Sequence, residues 1–247
     1  MSDETMYQIT VWLMDIMAAS ILLPMVVVWR RSRHFPPPVM LLSWYVYLSL
    51  ASAVGSRFLY PAYFNNNYGF NVAFNLGKIA LFCAVYYPVL RPTIARQILA
   101  ATTLAIIVGV IGLIGTQGLQ HHLAVDISRV AQCAVLAGFA LAYLDQKLSC
   151  NTSGPVSHDP VWLLSVGQLL YSAGTVTAFS LDYQTVTRFD QTPKYIIISF
   201  AGLVFNTFLT LAFLRAKPAS KPAATVNDEA TNQLANSKLF RKLSKLD

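Results

Sequence analysis

The chain has 247 residues, of which 55% are hydrophobic and only 12% are charged. About a quarter of the residues in an ordinary soluble domain are charged, so this composition sets aside a soluble globular fold and points to a membrane protein. The net charge is +7, but the bases gather at 30–33 and after Arg215 with no folded domain around them to position a duplex, which argues against nucleic-acid binding.

Seven apolar stretches, each of a length that crosses a bilayer, occupy about 8–29, 39–60, 70–89, 98–114, 125–144, 161–181 and 195–214. The first carries Asp15 in its outer third and Pro24 in its inner third. Proline is tolerated in a membrane helix and kinks it. The link RRSRHFPPP, 30–38, is basic and stiff. Arg57 lies about one turn from the end of the second stretch, where a long side chain can snorkel. A polar turn, PAYFNNNYG, precedes the third stretch, FNVAFNLGKIALFCAVYYPV. That stretch has Lys78 near its middle, and Asn71, Asn75 and Lys78 recur at helical spacing on one face. A charge at such depth needs a protein or water environment.

The fourth stretch has a row of small residues, Ala101, Ala105 and Gly109, and the fifth has another, Ala134, Gly138 and Ala142. Such rows let helices approach closely, so these two stretches are expected to pack on each other. Arg129 enters the fifth stretch from its outer end, and Gln132 continues its face one turn on. The sixth carries Gln168, Tyr171, Ser172 and Thr175 inside it, and the seventh Ser199, Asn206, Thr207 and Thr210. The link 181–194 permits a short extended piece. The tail opens with an Ala-, Pro- and Lys-rich linker of disordered type. It then shows a short basic amphipathic pattern at 234–246, with Leu239, Leu243 and Leu246 among Lys238, Arg241, Lys242 and Lys245. That pattern suits the inner leaflet or a partner protein.

The chain is therefore expected to be an all-α, polytopic membrane protein with a seven-helix domain over 1–215 and a basic tail over 216–247. The lead before the first stretch has acids, Asp3 and Glu4, and no base. The first loop has Arg30, Arg31 and Arg33, the third has Arg91 and Arg96, and the tail is basic. Positive charge favours the cytoplasmic side, which places the N-terminus outside and the C-terminus in the cytoplasm, in a prokaryotic plasma membrane. The fifth loop, with Lys147 against two acids, fits this least well. It holds the glycosylation sequon Asn151-Thr152-Ser153, which would go unused in the cytoplasm.

At 1.5 Å per residue, Asp15 lies roughly 10 Å and Lys78 roughly 12 Å below the outer edge. Opposite charges in one layer suggest a buried ion pair, provided that the first and third stretches face each other. With Arg57 and Arg129 above, and Asn71, Asn75 and Gln132 beside them, the outer half forms a polar vestibule with a positive bias. An anionic or carbonyl-bearing small ligand would suit it. The alternative is purely structural: one ion pair and two snorkelling arginines. Gln168 and Asn206 are the other mid-membrane polar residues singled out.

No hydrolase, nucleotide or metalloprotease motif is present. No histidine lies inside an apolar stretch, and the adjacent His121 and His122 would not share a helical face, so neither a metal nor a cofactor is expected. Cys83, Cys133 and Cys150 have no metal-type spacing. No catalytic residue is assigned, and the acid-base set is too sparse to favour an enzyme. In helix count and orientation alone, the chain resembles the rhodopsin-like and receptor-like membrane proteins. The retinal-binding pattern needs a lysine in the middle of the seventh helix, which is absent here; Lys78 is on the third. The leading expectation is a receptor-like or regulatory membrane module that contacts a membrane or cytoplasmic protein partner. A small-solute or ion transporter and a structural subunit of a membrane complex are the alternatives.

Overall fold

Prolines and apolar length set the helix boundaries. Pro37 sits at the start of one helix with Pro36 extended before it, and Pro160 starts another; the first turn is where the missing N–H does no harm. A computed structural model describes residues 3–32, 35–55, 68–117, 122–149, 159–182 and 192–216. Its helices are α1 (Asp3–Ser20), α2 (Leu22–Arg31), α3 (Pro37–Val54), α4 (Tyr68–Tyr86), α5 (Thr93–Gln117), α6 (His122–Ser149), α7 (Pro160–Asp182) and α8 (Thr192–Arg215). Among the described residues there are no strands. α1 and α2 together form one span, Thr5–Arg31, so seven helical spans are long and apolar enough to cross a membrane. The chain is a multi-pass membrane protein of the all-α class. Met1–Ala216 form one compact unit, and residues 217–247 lie outside the described residues. So do Arg57, Asn151, the link 183–191 and the tail bases Lys238, Arg241, Lys242 and Lys245.

The first span is interrupted at Ile21. Pro24 is the cause, because it has no N–H to offer the Ser20 carbonyl and its ring crowds that turn. The broken turn is stitched to α8. Asn206 Nδ2 donates to Ser20 Oγ at 2.7 Å, and Ser20 Oγ donates to the Met17 carbonyl at 2.6 Å. A Cβ on Gly202 would meet Met17 Sδ at 2.5 Å, and Arg31 donates to the Leu214 carbonyl at 3.0 Å. The pairs Met17–Gly202, Ser20–Asn206 and Arg31–Leu214 advance together, so the first and seventh spans run parallel. Their starts mark one end of the bundle, called the entry end below.

The tightest packing is between α7 and α8. A Cβ on Gly167 would lie 2.6 Å from Phe208 Cβ, and one on Gly174 would lie 2.7 Å from Ala201 Cβ. These glycines let the two helices approach closely. The expected small-residue contact between the fourth and fifth spans takes a different form. α5 does pack on α6, but Gly109, Gly112 and Gly115 of α5 meet nothing within 4 Å, and Gly138 of α6 only brushes Leu99. Side chains such as Leu99 and Ile106 make the contact. α5 is the least buried of the seven spans and α7 the most.

Candidate functional site

Lys78 sits near the middle of the 19-residue α4 and is 1% exposed. Four rings surround its ammonium. Nζ lies 4.2 Å from the Tyr171 centroid, 5.0 Å from Phe205, 5.2 Å from Tyr45 and 5.8 Å from Phe82. The rings come from α7, α8, α3 and α4, so one amine gathers four helices. Ring faces carry negative quadrupole charge and attract a cation, the more so away from water. The rings support one another: Tyr45 meets Phe82 and Phe205 edge-on at 5.3 and 5.8 Å, and Tyr171 meets Phe205 at 5.6 Å.

The titratable groups acting on Lys78 are Tyr171 and Cys133. Asp15 is half-buried on α1, whose packed neighbours are α8 and α2, while α4 packs on α6, α3 and α5. Asp15 is not among the groups that act on Lys78. α8 offers Phe205 to the lysine and Gly202 and Asn206 to α1.

A polar layer adjoins the ring cage. Asn75, one turn before Lys78, donates to Ser128 Oγ at 2.9 Å, and Ser128 donates to the Val125 carbonyl at 2.8 Å. Asn71 is half-buried one turn further toward the entry end. Gln132 is buried next to Cys133. Gln168 Nε2 donates to Ser172 Oγ at 3.1 Å, and Thr175 lies beside Cys133. Asn75, Lys78, Gln132 and Gln168 are all buried. Asn206 points elsewhere, into the broken turn of the first span.

Toward the entry end, Arg129 and Lys194 both lie against Phe179, at 5.5 and 4.6 Å from its centroid. Arg129 was expected at the outer end of its stretch, whereas Phe179 and Lys194 were not singled out in the sequence. At the opposite end, Tyr86 bonds Ser165 Oγ at 2.9 Å and stacks on Phe139 at 5.6 Å. Tyr143 donates to Asp159 Oδ2 at 2.6 Å, Lys147 pairs with the same oxygen at 2.7 Å, and the Val161 N–H donates to Asp159 Oδ1 at 3.0 Å. Asp159 thus caps α7. Burial pushes the Asp159 carboxyl up, but hydrogen bonds from Lys147 and Tyr143, the Lys147 charge and the Val161 N–H together hold it below its ordinary range. A lone aspartate before a proline gives no sequence signal for this cluster, because Lys147 and Tyr143 come from the preceding helix.

Among the described residues, no three of His, Cys, Asp and Glu gather as a metal would require. Cys83 and Cys133 are free thiols. The chain matches no known family model, no curated protein and no solved structure.

Proposed function

We propose that this protein is a receptor-like or regulatory module of a prokaryotic plasma membrane, and that its ligand site is the layer around Lys78. The loop charges support an N-terminus outside and a cytoplasmic C-terminus, which puts Arg129 and Lys194 on the outer side. We propose from the sequence alone that Arg57 belongs to the same positive rim. The basic tail would face the inner leaflet or a protein partner.

The observation that carries this reading is the enclosure of one amine by four rings in the middle of a membrane bundle. Ionisable groups at that depth are costly and mark functional sites. A structural role would be served more cheaply by an apolar residue of the same length. An anionic or carbonyl-bearing small molecule is the ligand class that a buried amine answers. The test is native mass spectrometry of the gently purified protein beside its Lys78→Met variant. Retention of a small molecule by the wild type and its loss from the variant is the expected result. Identical spectra for the two folded proteins would overturn the reading.

The transporter reading has one observation in its favour, the interrupted first span bonded to Asn206 at its break. Broken helices recur in transporters near the bilayer midplane. Uptake into sealed vesicles that is lost in Lys78→Met would move the conclusion to transport.

A further inference from the structure

The Lys78 layer holds more than a cation. Two buried glutamine oxygens on α6 and α7 have no hydrogen-bond partner: Gln132 Oε1 and Gln168 Oε1. Their residues are 2% and 0% exposed. Gln168 stands three residues before Tyr171, which puts both on one face of α7. The Tyr171 ring is the one closest to the Lys78 ammonium among the four. Gln132 adjoins Cys133, which with Tyr171 acts on that ammonium. Gln168 already spends its amide N–H on Ser172.

An amide oxygen can only accept, so its complement is a donor. Buried polar atoms are normally partnered, and an orphan asks for an occupant. In lipid surroundings no bulk water is at hand to supply one. A simple cation would be repelled by Lys78. A simple anion would answer Lys78 and leave both glutamine oxygens bare. A molecule that carries a carboxylate and, on the next carbon, an N–H or O–H donor answers both. The rings of Tyr45, Phe82, Tyr171 and Phe205 then provide a wall for an apolar side chain.

The geometry points to a small α-amino or α-hydroxy acid with an apolar side chain as the ligand of this layer. Its carboxylate meets the Lys78 amine, and its donor meets the orphan oxygens of Gln168 and Gln132. This rests on the ligand-site reading above and narrows its chemistry.

Three compounds with one carbon skeleton test it: 4-methylpentanoate, 2-hydroxy-4-methylpentanoate and L-leucine. Each is titrated against the full chain in detergent, with the thermal unfolding midpoint as readout. The two donor-bearing acids are expected to raise the midpoint saturably, and to do so at about tenfold or more lower concentration than 4-methylpentanoate. Gln168→Leu is expected to erase that tenfold difference, and Lys78→Met to erase the response to all three. Equal responses to the three acids in the wild type would overturn the inference and leave a plain anion site. A difference that persists in Gln168→Leu and in Gln132→Leu would overturn the assignment of the donor to these oxygens. No response to any of the three would overturn both this inference and the ligand-site reading for small acids.

Discussion

The Lys78 ammonium, buried in the bundle, lies 4.2 Å from the centre of the Tyr171 ring. The pair joins α4 to α7 without an ion pair between them. A buried charge held this way costs desolvation that ring faces offset only in part. Lys78→Met keeps the length of the side chain and removes the charge. It is expected to leave the thermal midpoint unchanged or raised by a few degrees, while abolishing ligand retention. Lys78→Ala leaves a cavity as well and is expected to lose about 2–5 kcal/mol. A reversible unfolding titration in mixed micelles checks both. A strongly destabilised Lys78→Met would show that the amine is there for the fold.

The Asn206–Ser20 bond carries a second expectation. It spans 2.7 Å between the seventh and first spans, at the turn that Pro24 breaks. Interhelical hydrogen bonds in membrane proteins contribute about 0.6 kcal/mol on average and up to about 1.7. Asn206→Leu should therefore lose about 1 kcal/mol, somewhat above that average, because the Met17 carbonyl is also within reach at 3.5 Å. The double-mutant cycle with Ser20→Ala should show coupling of similar size. Additive effects would mean that the two side chains do not act as a pair.

What the sequence made legible follows from the range of each signal. Span length and apolarity are local, so all seven spans were visible, with ends that differ by a few residues. Pro24 was local too, and its break lies three residues earlier because the lost bond is to the Ser20 carbonyl. Lys78 stood out because a charge in an apolar run is itself the anomaly. Its partners did not. Tyr45, Tyr171 and Phe205 come from three other helices, and aromatic residues are common in any span. Only Phe82, four residues on, was available from spacing. Asp15 drew attention for its depth, but depth says nothing about which helices are neighbours. α8 packs on α1 and offers Phe205 to Lys78, and no pattern in the first or third span announces that.

The glycines test the packing in opposite directions. Gly167 and Gly174 face rigid Cβ atoms at 2.6 and 2.7 Å from where their own would stand. Gly167→Ala and Gly174→Ala should each cost about 1–3 kcal/mol through overpacking. Gly109 and Gly112 meet nothing within 4 Å. Alanine there should be neutral or stabilising by up to about 1 kcal/mol, as helix propensity alone dictates. Unfolding midpoints of the four variants, measured side by side, check the contrast. A penalty at Gly109 or Gly112 would reveal a partner on the face of α5.

The Asp159 cluster predicts a pH dependence whose sign is fixed by the direction of the shift. Lys147, Tyr143 and the Val161 N–H outweigh burial and hold the carboxyl below its ordinary range in the folded chain. The folded state therefore binds the proton less readily than the unfolded chain does, and this contribution to stability is present in full above the unfolded value of about 3.9. It is lost as the pH falls through the lower folded value. The unfolding midpoint should drop below about pH 4. Asp159→Asn keeps the shape and loses the charge, so its midpoint should start lower at pH 7 and vary less below pH 4. Tyr143→Phe removes the 2.6 Å bond to Asp159 Oδ2 but leaves Lys147 in place, and should make the drop smaller and end it at a higher pH. A wild-type midpoint that stays flat from pH 6 to pH 3 would mean that Asp159 is not held by these partners.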